Sequence, residues 1–324
     1  MYEFIVWLRV IAAIFITNSH FADVWPYPQM AFGGHLGNNV FFLISGFCLY
    51  SVKDSFPTWY IKRVIRIYPA VWVTNIIYIL TKYYVIDSYS SFIHYFIYPT
   101  GFHFVGSIML LYAVFFLIRF IQKKWHIETI FFMILFFIIF MAAYMTLFER
   151  SYYHIDRVTE KWVWFMFTES LLLGAVLREK IDRINDKITG IFLLELGALF
   201  MGYFVGKKVF SNVSAAAAFQ FMQPMIVSAL AANVAILFIK LEKRGIFSQA
   251  GTLVRGAVLL LSTMTLEIYL SQDLITTIFE NVSFPLSFVA VAGSILIYAF
   301  IVHECAKCIQ GICLRKLAGI KNRE

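Results

Sequence analysis

The stretch TIFFMILFFIIFMAAYMTLF, Thr129 to Phe148, runs for 20 residues without a charge. As a helix rising about 1.5 Å per residue it covers roughly 30 Å, the depth of a bilayer's hydrocarbon. In hydrocarbon every backbone N–H and C=O needs a partner within the protein, so a single run of this kind folds as a helix. Comparable runs recur along the whole chain. They fix the class as an all-α, polytopic transmembrane helical bundle, with spans expected near 4–24, 36–52, 67–86, 102–121, 127–148, 161–177, 188–206, 213–239, 257–279 and 284–306. Composition agrees, because 61% hydrophobic and 14% charged residues leave too little charge to cover a water-soluble globule of 324 residues.

A net charge of +8 suits an acidic partner such as nucleic acid, but its placement argues otherwise. Alternate connections, at 51–66, 119–126, 178–187, 240–255 and 307–324, hold 20 of the 27 Lys and Arg residues. The opposite side has only Lys82, Arg150, Arg157, Lys161, Lys207 and Lys208. Basic loops favour the cytoplasm. Ten spans then put both termini inside, in a multi-pass protein of the cytoplasmic membrane whose first partners are lipids. Nucleic acid is not expected as a partner.

The first apolar run carries Arg9 and His20 and has no basic leader or small-residue cleavage site, so it reads as a retained helix rather than a signal peptide. No repeat or Pro-rich linker divides the chain, which reads as one membrane domain over 1–324. Cys305 and Cys308 form a Cys-x-x-Cys, yet a metal site wants four convergent ligands. The four cysteines read as reduced thiols, and no metal is expected.

An ionisable group at membrane depth costs a few kcal/mol and needs a partner or a task. Arg9, His20, Asp23, Glu169, Glu195, Glu267 and Asp273 are such groups. Eleven residues separate Arg9 from His20, placing both on one helical face about 16 Å apart. Asp23 either meets the His20 imidazole from that face or caps the helix at its outer end. In GGHLGNNVFFLISGF, Gly33 to Phe47, Asn38, Asn39 and Ser45 bring hydrogen-bonding groups into an apolar helix, and Gly46 admits a second backbone. In FPTWYIKRVIRIYP, Arg63 and Arg66 are neighbours on one face with Lys62 beside them. Two guanidinium forks side by side suit phosphate oxygens; plain anchoring at the cytoplasmic surface needs the charges but no such spacing.

Taken in order, these segments resemble the membrane-bound acyltransferase 3 family. That family shows Arg-(ten residues)-His in its first span, a Gly-rich lead into Phe-Phe-x-Ile-Ser-Gly-Phe, and Arg-x-x-Arg before Tyr-Pro. Here these are Arg9 and His20, Gly37 through FFLISGF, and Arg63/Arg66 followed by IYP. LSTMTLEIYLSQDLI, Leu261 to Ile275, is similar to a stretch near the family's C-terminal end. Asn38 and Asn39, His103 and Gln272 depart from the residues common in relatives at those places.

The resemblance implies transfer of an acyl group, most often acetyl from acetyl-CoA as co-substrate, to a hydroxyl of a cell-surface glycan or a lipid-linked sugar. It makes His20 the general base and gives Arg9, deeper in the helix, the donor or the thioester oxygen; Asp23, read from its spacing alone, completes the catalytic set if it supports the His20 ring. Arg63, Arg66 and Lys62 would bind the CoA phosphates. Asn38, Ser45, His103, Glu169, Glu267, Tyr269 and Gln272 are weaker candidates for contacting substrate. The rival readings are a transporter or flippase built on the same polar groups, and a regulator without catalysis.

Overall fold

Every described segment of regular structure is helical, as hydrocarbon demands of backbone amides. The computed structural model describes residues 2–157 and 161–321. Arg323 of the basic tail and both chain ends lie outside them. Eleven long helices follow one another: α1 (Glu3–Ser19), α2 (Gly34–Leu49), α3 (Phe56–Leu80), α4 (His103–Trp125), α5 (Thr129–Leu147), α6 (Val163–Lys180), α7 (Gly190–Asn212), α8 (Met222–Lys243), α9 (Thr252–Thr263), α10 (Thr265–Ile278) and α11 (Leu286–Lys321).

Six of these are long and apolar enough to cross a bilayer: α3, α4, α5, α7, α8 and α11. A seventh forms if α9 and α10, bent by 71° at Met264, make one broken span. The hydropathy pattern predicts about ten. The helices that fall short are α1 and α2, at 17 and 16 residues, and α6, which ends in Arg178, Glu179 and Lys180. α7 is mostly apolar, with Glu195 as the one charge before Lys207, and only 6% of its most apolar stretch is buried. Such a helix has no stable place in water, and hydrocarbon is the solvent that tolerates it.

Boundaries differ from expectation in several places, among them α1, which stops at Ser19 rather than near 24, and α11, which runs on to Lys321 rather than ending near 306. α3 begins at Phe56 rather than near 67, so Arg63 and Arg66 lie on the helix itself. The span expected at 257–279 is two helices, and α8 starts at Met222 rather than 213.

The chain clusters into two compact units interleaved in sequence. The first comprises Met1–Ala12, His35–Val52 and Ala113–Leu259. Here α2 and α6 touch backbone to backbone: a Cβ on Gly46 would sit 1.9 Å from the Leu171 carbonyl oxygen, and one on Gly174 equally close to that of Leu43. Helices in lipid associate through close van der Waals approach, and paired glycines permit it. The Glu242 carboxylate accepts hydrogen bonds from Glu3 N (3.2 Å) and Phe4 N (2.8 Å), satisfying amides that the first turn of α1 leaves open.

The second unit comprises Ala13–Gly34, Lys53–Tyr112 and Leu260–Glu324. α3, α10 and α11 pack together in it. Phe21, Val24, Met264, Ile268, Ile275, Val291, Ile295 and Ala299 form one of its buried clusters. Tyr78 on α3 is fully buried; its hydroxyl donates to Leu270 O at 2.6 Å and receives Leu274 N at 3.4 Å, pinning α10 to α3.

Candidate functional site

α1 stops at Ser19 because its polar last turn is claimed by the loop that follows. Asn18 donates through Nδ2 to Met30 O (2.8 Å) and Phe32 O (3.0 Å) and accepts from Trp25 Nε1 (2.9 Å). The loop returns at Gly33, whose φ of +104° favours glycine and whose missing Cβ leaves room for the Phe15 ring. His20 is therefore the first residue beyond the helix. The shared helical face computed for Arg9 and His20 extends only to Ser19.

The carboxylate that meets the His20 ring is Asp273 of α10, with Nδ1 and Oδ1 3.3 Å apart. Asp23 instead lies exposed in the turn after α1, so an i,i+3 helical relation to His20 does not exist. The two paired side chains are 35% and 43% exposed, open to a reactant. One step before Asp273, buried Gln272 donates through Nε2 to Thr17 Oγ1 at 2.7 Å and ties α10 to the last turn of α1. A carboxylate at Nδ1 holds the proton there, and Nε2 is then the ring atom able to take another from a hydroxyl. Proton abstraction is the chemistry this pair can perform.

Farther along the same unit lies the basic face of α3. The Arg63 guanidinium sits over the Trp59 ring, 4.5 Å from its centroid. The Arg66 guanidinium is near enough for its charge to act on Arg63. Arg66 is exposed, and its carbonyl accepts from Gln310 Nε2 of α11 at 3.0 Å. Lys62 is tied down otherwise, its Nζ 2.6 Å from Asp54. That pairing offsets the positive charge expected of Lys62 toward an anion.

Glu267 falls in the first turn of α10, where the open amides of a helix start favour a carboxylate. Only 4% exposed, it lies 3.1 Å from His303 Nδ1 of α11, and Arg66 adds to the charge around it. Its second oxygen is buried without a partner. His303 lay in the sequence among basic and cysteine residues, with no spacing to mark it.

The remaining candidates are dispersed. Tyr269 receives Phe104 N at 3.4 Å, and His103 is exposed at the start of α4. On α2, Asn38 keeps a buried Oδ1 without a partner, while Asn39 donates to His35 O (2.7 Å) and accepts from Ser170 Oγ (2.5 Å). Ser45 and Arg9 are half-buried. Glu169 on α6 has one carboxylate oxygen sealed off without a partner. Among the described residues no three His, Cys, Asp or Glu side chains converge as metal ligands would.

A third histidine–carboxylate pair, not among the candidates read from the sequence, lies in the first unit. His35 opens α2, Asp156 comes from the loop after α5, and Lys207 Nζ of α7 lies 2.8 Å from Asp156. His35 and Asp156, with Gln223 and Tyr203, line a cavity of about 10 Å³, room for one water. His35 Nδ1 and Gln223 Oε1 are buried there without protein partners. Burial pushes the Asp156 carboxyl up, but His35 and Lys207 more than reverse this and hold it below the usual carboxylate range.

Comparison with known proteins agrees with the motif order. A family profile described as an acyltransferase domain matches residues 2–303. No curated protein matches the chain. No solved structure matches it either. The matched region takes in His20, Arg63, Arg66, Asp273 and the Glu267–His303 pair, and it spans nearly the whole chain. The chain belongs to the acyltransferase 3 family, a multi-pass membrane acyltransferase by its helices and its domain.

Proposed function

We propose that the protein moves an acyl group, acetyl in the simplest case, from cytoplasmic acyl-CoA to a hydroxyl of a cell-surface polysaccharide or lipid-linked sugar. The observation that carries this reading is the His20–Asp273 pair, open to solvent at the end of α1. His20 takes the acceptor's hydroxyl proton at Nε2, and Asp273 holds the ring in the tautomer that permits it. The alkoxide forming on the acceptor attacks the thioester carbonyl, CoA departs as thiolate, and the ester remains on the sugar. Arg63 and Arg66 bind the CoA phosphates. Arg9, eleven residues before His20, lies about 16 Å deeper, too far to reach the carbonyl under attack, and contacts the donor away from it. The chain acts as a single domain with ten spans and both termini in the cytoplasm, as its basic loops direct.

One observation favours transport instead. The 71° break between α9 and α10 resembles the interrupted helices around transporter sites. Protein in lipid, given radiolabelled acetyl-CoA and candidate glycans, separates the two. The acyltransferase reading expects CoA release that Arg63→Ala and Arg66→Ala weaken through donor KM, by about tenfold each. Flux across the membrane without thioester cleavage would overturn it.

A further inference from the structure

The connection between α3 and α4 is long and rich in rings, yet it is held firmly. Three α3 side chains on one face fix the π-helical turn Ile93–Ile97 by its carbonyls: Tyr68 Oη donates to Ile97 O (2.8 Å), Trp72 Nε1 to Phe96 O (2.9 Å) and Asn75 Nδ2 to Tyr95 O (2.5 Å). The tether lays Tyr95 flat on Tyr84, centroids 4.3 Å apart and planes 9° apart. Tyr83 continues the stack at 5.5 Å and 27°, and it is 37% exposed. Thr100 Oγ1 and His94 Nδ1 share a hydrogen bond, which sets the exposed His94 ring. Its Nε2 and the Tyr84 hydroxyl then converge over Gly101: a Cβ there would lie 3.4 Å and 3.2 Å from them. Asp273, the partner of His20, is close enough for its charge to act on Tyr84.

Interfacial tyrosines that only anchor a helix act singly, and the 80%-exposed Tyr89 is exposed in that way. They need neither paired ring faces nor two polar atoms meeting over a glycine. A pyranose ring needs both. Its axial C–H face lies on flat aromatic surface, and its rim of hydroxyls requires donors and acceptors at the edge. We propose that Tyr83, Tyr84 and Tyr95, with His94 and the Gly101 opening, form the subsite that seats the acceptor's sugar ring and presents one hydroxyl to His20. The inference rests on the acyltransferase reading and assigns that reaction's acceptor to a place.

The test uses the full chain in lipid nanodiscs with radiolabelled acetyl-CoA. Octyl β-D-glucopyranoside, octyl β-D-galactopyranoside and octyl N-acetyl-β-D-glucosaminide serve as ring-bearing acceptors, and 1-octanol as a hydroxyl without a ring. The wild type is expected to acetylate at least one glycoside with saturation, and octanol poorly. Tyr84→Leu and Gly101→Val should each raise the glycoside KM at least tenfold, with acetyl-CoA affinity unchanged within twofold. His94→Ala, at an exposed position, should raise it about threefold; it decides the matter if the other two variants lose acetyl-CoA binding through misfolding. Glycoside transfer with an unchanged KM in His94→Ala and in the other variants that bind donor overturns the subsite and leaves the His20–Asp273 reading standing. Equal KM values for octanol and glycoside, shifted alike by Tyr84→Leu, overturn the sugar assignment. Failure of the wild type to acetylate any of the glycosides overturns both.

Discussion

Two of the histidine–carboxylate pairs, His20–Asp273 in the second unit and His35–Asp156 in the first, have opposite surroundings. His20 and Asp273 are 35% and 43% exposed, and the pair follows directly on a helix end. Asp156 is 14% exposed and ion-paired to Lys207, while the neighbouring His35 has its Nδ1 sealed beside a cavity that admits one water. The residue types match, but accessibility separates them. A pair that a substrate reaches can hand protons to it. An enclosed one has its charge committed to neighbouring groups and holds the chain together. Burial and pairing suit His35 to architecture, and the proposed reaction places its proton transfer at the accessible His20.

Substitutions should divide along the same line. Asp273→Ala is expected to lower turnover about 10²-fold, the range for losing support of a general base, while folding stability moves by less than about 0.5 kcal/mol. CoA release and thermal melting in lipid, measured together, check this; a stability loss matching the activity loss would erase the contrast. Lys207→Ala should do the reverse. Leaving Asp156 enclosed without its cation costs about 2 kcal/mol after allowance for the half-exposed lysine, and turnover per folded molecule stays unchanged.

Acid sharpens the comparison further. Asp156 is held below the usual carboxylate range, so the stability it adds is present above that range and lost as pH falls through its depressed value. Wild-type melting should weaken in that acid window, and Asp156→Asn should flatten the dependence. A smaller effect is expected at Asn18, whose side chain ties the 20–33 loop to α1. Asn18→Ala should cost about 1 kcal/mol, seen as roughly fivefold faster amide exchange confined to that loop.

The parts of the fold and site visible in the sequence are those set by local pattern. Uncharged runs announce helices, glycine at 46 announces a close helix contact, and Arg63 with Arg66 announces a cationic face. The contact at Gly46 is there, matched by Gly174 from α6. What local pattern misses depends on residues far apart in the chain. Asp23 is the nearest acid to His20 in sequence, but Asn18 draws the loop away from the helix axis and Asp273 arrives from α10 instead. The break at Met264 lies in STMT, which contains neither proline nor glycine to signal it. His303, midway along α11, and His35, in the first turn of α2, look like ordinary polar residues until Glu267 and Asp156 stand beside them.

In the proposed reaction the His20 ring carries the reacting proton. The most direct measurement of this is CoA release by His20→Ala in lipid, with and without added imidazole. The account predicts that acceptor-dependent release falls at least 10²-fold, that acetyl-CoA still binds, and that imidazole restores part of the rate. Wild-type turnover in His20→Ala would contradict it.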